Sequence, residues 1–113
     1  MSQITTHILD TSLGRPAADV PIRLEQQLAE NTWKILAEGT TNADGRVANL
    51  LPKEQILPIG TYKIIFYTEG YFAAQNRAHF YPVVEIQFKV TDAAHYHVPL
   101  LLNPFGFSTY RGS

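Results

Sequence analysis

His95-Tyr96-His97-Val98-Pro99-Leu100-Leu101-Leu102 is the stretch on which the reading of this chain turns. Read as a strand, it sends alternate side chains to opposite faces. Tyr96, Val98, Leu100 and Leu102 form one face, which is plainly core. His95, His97, Pro99 and Leu101 form the other, with no Lys, Glu or Asp among them. The outer face of a two-sheet sandwich is normally wetted and polar. An apolar outer face that opens with two imidazoles needs cover, and a second subunit is the simplest source. His95 and His97 are therefore expected at or beside a subunit interface.

The rest of the chain supplies partners for this strand. Val84, Ile86, Phe88 and Val90 alternate with Glu85, Gln87 and Lys89 in the cleanest period-two pattern present. Thr61 to Glu69 is a strand by its β-branched and aromatic content. Gln3 to Asp10, Val20 to Glu25, Trp33 to Glu38, and the pair Tyr96 to Leu102 and Phe105 to Tyr110 complete the regular set. Asn42-Ala43-Asp44-Gly45-Arg46 carries the Asp-Gly hairpin signal, which predicts a short returning strand from Val47 to Leu51. Gly70 to Arg77 is the one candidate helix, and Thr11 to Asp19 and Pro52 to Gly60 read as loops. Eight short strands and one small helix predict an all-β sandwich of two packed antiparallel sheets.

The chain has 113 residues, which argues for one domain, spanning residues 1–113. Only 17% of residues are charged, against about 25% in an average domain, which again hints at a face buried against a partner. The net charge is −1 with no basic stretch, so nucleic acid is not an expected partner. There is no cysteine, hence neither a disulfide nor a thiolate nucleophile. No window approaches the ~20 apolar residues of a membrane span, and the N-terminal residues do not form a signal peptide. A cytoplasmic location without membrane attachment is expected.

Four histidines, His7, His79, His95 and His97, are the main chemical resource. Two at i, i+2 on one strand face, joined by a third, suit zinc, a catalytic base or a structural role, and spacing alone leaves all three open. Arg46 leaves a turn at the start of an expected strand. It is either an exposed hairpin residue or a fixed, planar cation facing an anionic ligand. None of Ser108, Thr109 and Ser113 sits in Gly-x-Ser-x-Gly, and no glycine-rich phosphate loop is present. Asp10 and Asp44 read as turn carboxylates. Tyr110-Arg111-Gly112-Ser113 either frays or docks beside the site, with Gly112 allowing the turn.

Four segments together resemble the 5-hydroxyisourate hydrolase family of transthyretin-like proteins. They are Thr5-Thr6-His7-Ile8-Leu9-Asp10-Thr11 with Gly14-Arg15-Pro16-Ala17, Thr41-Asn42-Ala43-Asp44-Gly45-Arg46, the His95–Leu102 stretch, and the ending Ser108-Thr109-Tyr110-Arg111-Gly112-Ser113. Asn103 and Phe107 stand where the family often has Ser and Tyr. The resemblance spans the chain and implies an eight-stranded sandwich with one short helix. It also implies a homotetramer, a dimer of dimers with its sites in the channel between dimers, and no cofactor or metal. The implied reaction is hydrolysis of 5-hydroxyisourate to 2-oxo-4-hydroxy-4-carboxy-5-ureidoimidazoline in urate catabolism. The family's site maps to His7, Arg46, His97, Tyr110, Arg111, Gly112 and Ser113. His97, coupled to His7, would take a proton from water; Arg46 would hold developing negative charge; the terminal residues would bind the substrate edge. A carrier on the same fold and a non-catalytic adhesion sandwich are the competing expectations.

Overall fold

A computed structural model describes residues 2–113. Its elements run β1 (Ile4–Asp10), β2 (Arg15–Pro16), β3 (Pro21–Ala29), β4 (Thr32–Thr40), β5 (Gly60–Phe66), α1 (Glu69–Ala73), β6 (Val84–Val90), β7 (Tyr96–Asn103) and β8 (Gly106–Thr109). Two four-stranded sheets form, ordered β2-β1-β7-β8 and β4-β3-β5-β6. Their inner faces meet in one core. Ile4, Ile8, Leu100 and Leu102 from the first sheet pack with Ile22, Leu24, Tyr62, Ile64 and Phe66 from the second. Every pairing is antiparallel except β1 with β7, which run parallel with Thr5 opposite His97 and His7 opposite Pro99.

The β7 face assigned to the core is buried as its alternation requires: Tyr96, Val98, Leu100 and Leu102 have at most 6% of their surface exposed. On the outer face His97 and Pro99 are buried already within the single chain, while Leu101 is half-buried. The physical reason is that two segments return over them. Gly112 makes a β-bridge with His97, and Arg46 makes one with His7. Part of the cover expected from a partner thus comes from the chain itself.

Two local expectations are corrected. The Asp-Gly signal does not open a strand pair. Asn42 Oδ1 accepts the Asp44 and Arg46 amides at 2.9 and 3.1 Å, and Gly45 sits at φ +72°. The turn docks on β1, where the Ile8 amide donates to the Gly45 carbonyl at 2.9 Å. A Cβ at Gly45 would meet the Ile8 carbonyl oxygen at 2.5 Å, so glycine is required by both conformation and space. Val47 to Leu51 is consequently not a strand: the chain bends through Asn49, at φ +57°, to bury Leu50 and Leu51. The eighth strand is instead the two-residue β2, inside the expected loop. The helix is shorter than Gly70–Arg77 because Asn76 adopts φ +54° and the Arg77 amide donates to the Phe72 carbonyl, a left-handed helix stop.

Asp10 is the turn carboxylate its sequence suggests, accepting the Ser12 and Leu13 amides, and it is also fully buried. It accepts from Arg77 Nη1 and the Tyr71 hydroxyl at 2.7 Å each, from the Ser12 hydroxyl at 2.7 Å and from the Leu13 amide at 3.1 Å. Burial pushes its pKa up, but these donors, Arg77 foremost, outweigh burial and hold the carboxyl well below the usual range. The cluster ties β1 to α1. No helix among the described residues is long and apolar enough to cross a membrane.

Candidate active site

The parallel pairing of β1 with β7 interleaves their outer side chains. Thr5 lies between His95 and His97, with its Oγ1 2.8 Å from His95 Nε2 and 2.7 Å from His97 Nδ1. His97 Nε2 in turn lies 2.7 Å from His7 Nδ1. The His7 and His97 rings stack at 4.9 Å between centroids with 19° between planes, and His95 and His97 stand 6.3 Å apart at 22°. Three imidazoles and one hydroxyl therefore form a continuous hydrogen-bonded row across two strands.

Both ring nitrogens of His97 are engaged in that row. The nitrogens without a protein partner among the described residues are at its ends, His7 Nε2 and His95 Nδ1. No carboxylate bonds to any of the three rings. Burial lowers the pKa of His7, and the nearby Arg46 charge lowers it further. Burial likewise lowers that of His97, helped by His7, Arg46 and His95, against an opposing hydrogen bond to the Thr5 backbone. The pair is held neutral at pH 7, with lone pairs available for proton transfer.

The row borders a cleft of about 640 Å³. Thr5, Arg46, His95 and His97 line it, together with Tyr110, Arg111, Gly112 and Ser113; His7 stands behind His97 rather than on the wall. The docked turn brings Arg46 here, for its backbone bridges to His7. The chain after β8 brings the rest. The Gly112 amide donates to the His97 carbonyl at 2.9 Å, and the Arg111 guanidinium lies 4.2 Å over the Tyr96 ring. Tyr110 is 56% exposed, so its ring is free to meet a ligand. Two guanidinium groups and no Asp or Glu line the cleft, which suits a planar, electron-rich or anionic ligand. Among the described residues no three of His, Cys, Asp and Glu are arranged to hold a metal ion. Four of the six imidazole nitrogens in the row are bonded to each other or to Thr5.

Six of the seven residues singled out in the sequence thus line one cavity, and the seventh, His7, is bonded to one of them, His97. His79 is elsewhere, its ring stacked on Phe72 at 5.4 Å. Sequence reasoning gave Thr5 no role, and His95 only a place beside an interface and in the i, i+2 histidine pair left open between zinc ligand, base and structural residue. The available signal was the matching Thr-x-His and His-x-His spacing, but only the parallel register shows that the two interlock.

Gly112 is a tight point of this arrangement. A Cβ there would lie 2.6 Å from His97 Cδ2. The ring is held by two hydrogen bonds and the Gly112 backbone by another, so neither yields freely. Gly112→Ala is expected to lower kcat by about 10²-fold through misplacement of His97, with the melting temperature little changed. Steady-state kinetics beside thermal melts checks this.

Comparison with known proteins places these features in context. Residues 4–112 match the family model described as the HIUase/Transthyretin family. A mouse (Mus musculus) 5-hydroxyisourate hydrolase is 46% identical, with 99% of this chain and 96% of the relative aligned. The solved structure of Klebsiella pneumoniae 5-hydroxyisourate hydrolase superposes with a TM-score of 0.83 at 37% identity, covering 97% of this chain and 92% of that one. A sea bream transthyretin, solved in complex with thyroxine, superposes with a TM-score of 0.90 at 33% identity, covering 98% and 95%.

Proposed function

From its membership of the HIUase/Transthyretin family, to which this chain belongs, we propose that the protein hydrolyses 5-hydroxyisourate to 2-oxo-4-hydroxy-4-carboxy-5-ureidoimidazoline in urate catabolism. The sandwich itself is shared with a thyroxine-bound transthyretin and so does not distinguish an enzyme from a carrier. What carries the reading is the neutral His7–His97 pair at 2.7 Å, beside the Arg46-bearing cleft. A carrier has no use for imidazoles bonded in series.

The roles follow from the geometry. Water placed at the free end of the row loses a proton as it attacks the ring carbonyl. The proton is assigned to His7 Nε2, the free nitrogen of a half-buried ring bonded to the lining residue His97, because both nitrogens of His97 are occupied. His97 orients His7 and shares the positive charge. Arg46 stabilises the oxyanion that forms on the substrate, an interaction strengthened by the partly enclosed cleft. The carbon–nitrogen bond then breaks, and the leaving nitrogen takes the remaining hydroxyl proton of the tetrahedral intermediate, so that the product departs as a carboxylate. Tyr110, Arg111, Gly112 and Ser113 hold the edge of the planar substrate. The reading needs no cofactor or metal. It includes a cytoplasmic homotetramer, a dimer of dimers, supported by the exposed Phe105, Phe107 and Tyr110 on and beside β8 and by the half-buried Leu9 and Leu101. Light scattering reads the assembly directly.

Freshly generated 5-hydroxyisourate is expected to decay faster with the protein than in buffer, followed by its ultraviolet absorbance. Decay at the buffer rate would refute the activity. Arg46→Ala should reduce kcat/KM by roughly 10²–10³-fold, and Arg46→Lys should recover little, since an ammonium lacks the planar paired donors.

The lowered imidazole pKa values fix the sign of the pH dependence. The active form is the neutral pair. Activity should therefore persist as pH falls through 6.5, the ordinary histidine value, and decline only below it. A kcat/KM profile whose acid limb lies above pH 6.5 contradicts this. The same depression makes the unfolded chain the first to take up protons, so these groups support folding above pH 6.5 and oppose it as acid is added.

A further inference from the structure

We propose that Thr5 and His95 extend the catalytic pair into a proton relay, running His7–His97–Thr5–His95, that carries the reaction's proton out of the site. This rests on the hydrolase reading above. Its basis is geometric: three consecutive contacts of 2.7, 2.7 and 2.8 Å, with an unpartnered ring nitrogen at each end of the row.

The row has two self-consistent polarities. In the first, His7 Nδ1–H donates to His97 Nε2, His97 Nδ1–H donates to Thr5 Oγ1, and the Thr5 hydroxyl donates to His95 Nε2, while His95 carries its second hydrogen on Nδ1. In the other, every donor and acceptor is exchanged. A proton arriving on His7 Nε2 converts the first into the second: each N–H or O–H proton shifts one contact along, and one proton leaves from His95 Nδ1. One enters and one departs, no charge is left behind, and each imidazole has switched tautomer. Hydrogen-bonded rows of this kind polarise cooperatively, which favours concerted transfer.

The chemistry requires such an exit. Ring-opening hydrolysis of a cyclic amide yields a carboxylic acid, which ionises at neutral pH, so one proton must leave per turnover. His95 is placed to release it. It is half-buried, and it borders both the main cleft and a second depression of about 150 Å³ lined by Ser2, Gln3, Lys53 and Ile56. Thr5 supplies the hinge of the relay. A hydroxyl donates and accepts at once and can rotate between two rings, whereas Val, of the same shape, can do neither.

Thr5 is thus a positioning residue that acts through His97, and its role separates from simple packing. Thr5→Val should lower kcat about tenfold or more with KM unchanged, and Thr5→Ser should restore it. His95→Phe should cost a similar factor, and the Thr5→Val/His95→Phe double variant should be no worse than either alone. In heavy water the wild-type rate should show a proton inventory bowed by several moving protons, and Thr5→Val one closer to linear. Wild-type kcat in Thr5→Val, equal losses in Thr5→Val and Thr5→Ser, or additive losses in the double variant would each overturn the relay. An inactive wild type would instead refute the hydrolase reading, and the row can still be judged without substrate. Nitrogen-15 spectra of the imidazoles should show altered His95 and His97 tautomers in Thr5→Val but not in Thr5→Ser. Identical spectra in all three proteins would overturn it.

Discussion

His97→Ala is expected to reduce turnover of 5-hydroxyisourate by 10²–10⁴-fold while leaving a folded protein. His97 is the one imidazole of the row bonded at both ring nitrogens, to His7 at 2.7 Å and to Thr5 at 2.7 Å. Removing it does more than delete one ring. His7 Nδ1 loses its partner, so its tautomer is no longer set, and the charge acquired on taking a proton from water has nowhere to spread. The Gly112 bridge survives, since it uses the His97 backbone carbonyl. The loss should therefore appear in kcat far more than in KM. Circular dichroism and melting temperature should stay near wild type, because the core face of β7 belongs to Tyr96, Val98, Leu100 and Leu102. A variant that retained more than a tenth of wild-type kcat would place the chemistry elsewhere in the cleft.

Asp10→Asn should have the largest effect on stability. The change is nearly isosteric but leaves Arg77 beside a neutral amide. Removing one partner of a buried ion pair typically costs about 3–5 kcal/mol. Arg77 retains 19% of its side-chain exposure, which favours the lower end of that range. For a domain near this size each kcal/mol lowers the melting temperature by about 4–8 °C, so a drop on the order of 12 °C or more is expected. The wild type should lose stability as pH falls below the ordinary carboxylate range. Asp10 has a depressed pKa in the folded state, so its contribution is complete above the unfolded value near ~3.9 and vanishes as acid protonates it. Asp10→Asn should flatten that acid limb. Chemical denaturation at pH 7 and pH 2 measures both effects, and an unchanged midpoint would show that the cluster does not hold α1 to β1.

The two cases differ in how far the sequence revealed them. Alternation placed β6 and β7 and identified the buried face of β7, because burial of a two-faced strand writes itself into every second residue. The same alternation put His97 on an outer face. It did not show that β1 and β7 run parallel, and so could not align Thr5 with His97. Register between distant strands is a tertiary property with no local code. The burial of Asp10 and its pairing with Arg77 were hidden for a related reason. Its sequence neighbourhood, followed by Thr11, Ser12 and Gly14, is that of a surface turn, while the cation that neutralises it lies 67 positions away. The Asp-Gly signal did mark a turn, but the segment after it found its partner in β1 rather than in a returning strand. Arg46, Tyr110 and Arg111 carry no periodic signature, and their arrival at the cleft depends on how one turn and the last segment dock.

The parallel pairing also bears on how the molecule comes into being. β3, β4, β5 and β6 are joined within one continuous stretch, Pro21–Val90, and can assemble while that stretch is still isolated. Thr5 and His97 are 92 positions apart, and closing a loop of that length costs roughly 4 kcal/mol in chain entropy before any contact repays it. Non-local pairings of this kind are the slow step in β-rich chains. A refolding chain therefore acquires one sheet early and its chemistry last, and regained turnover times the meeting of the first strand with the seventh.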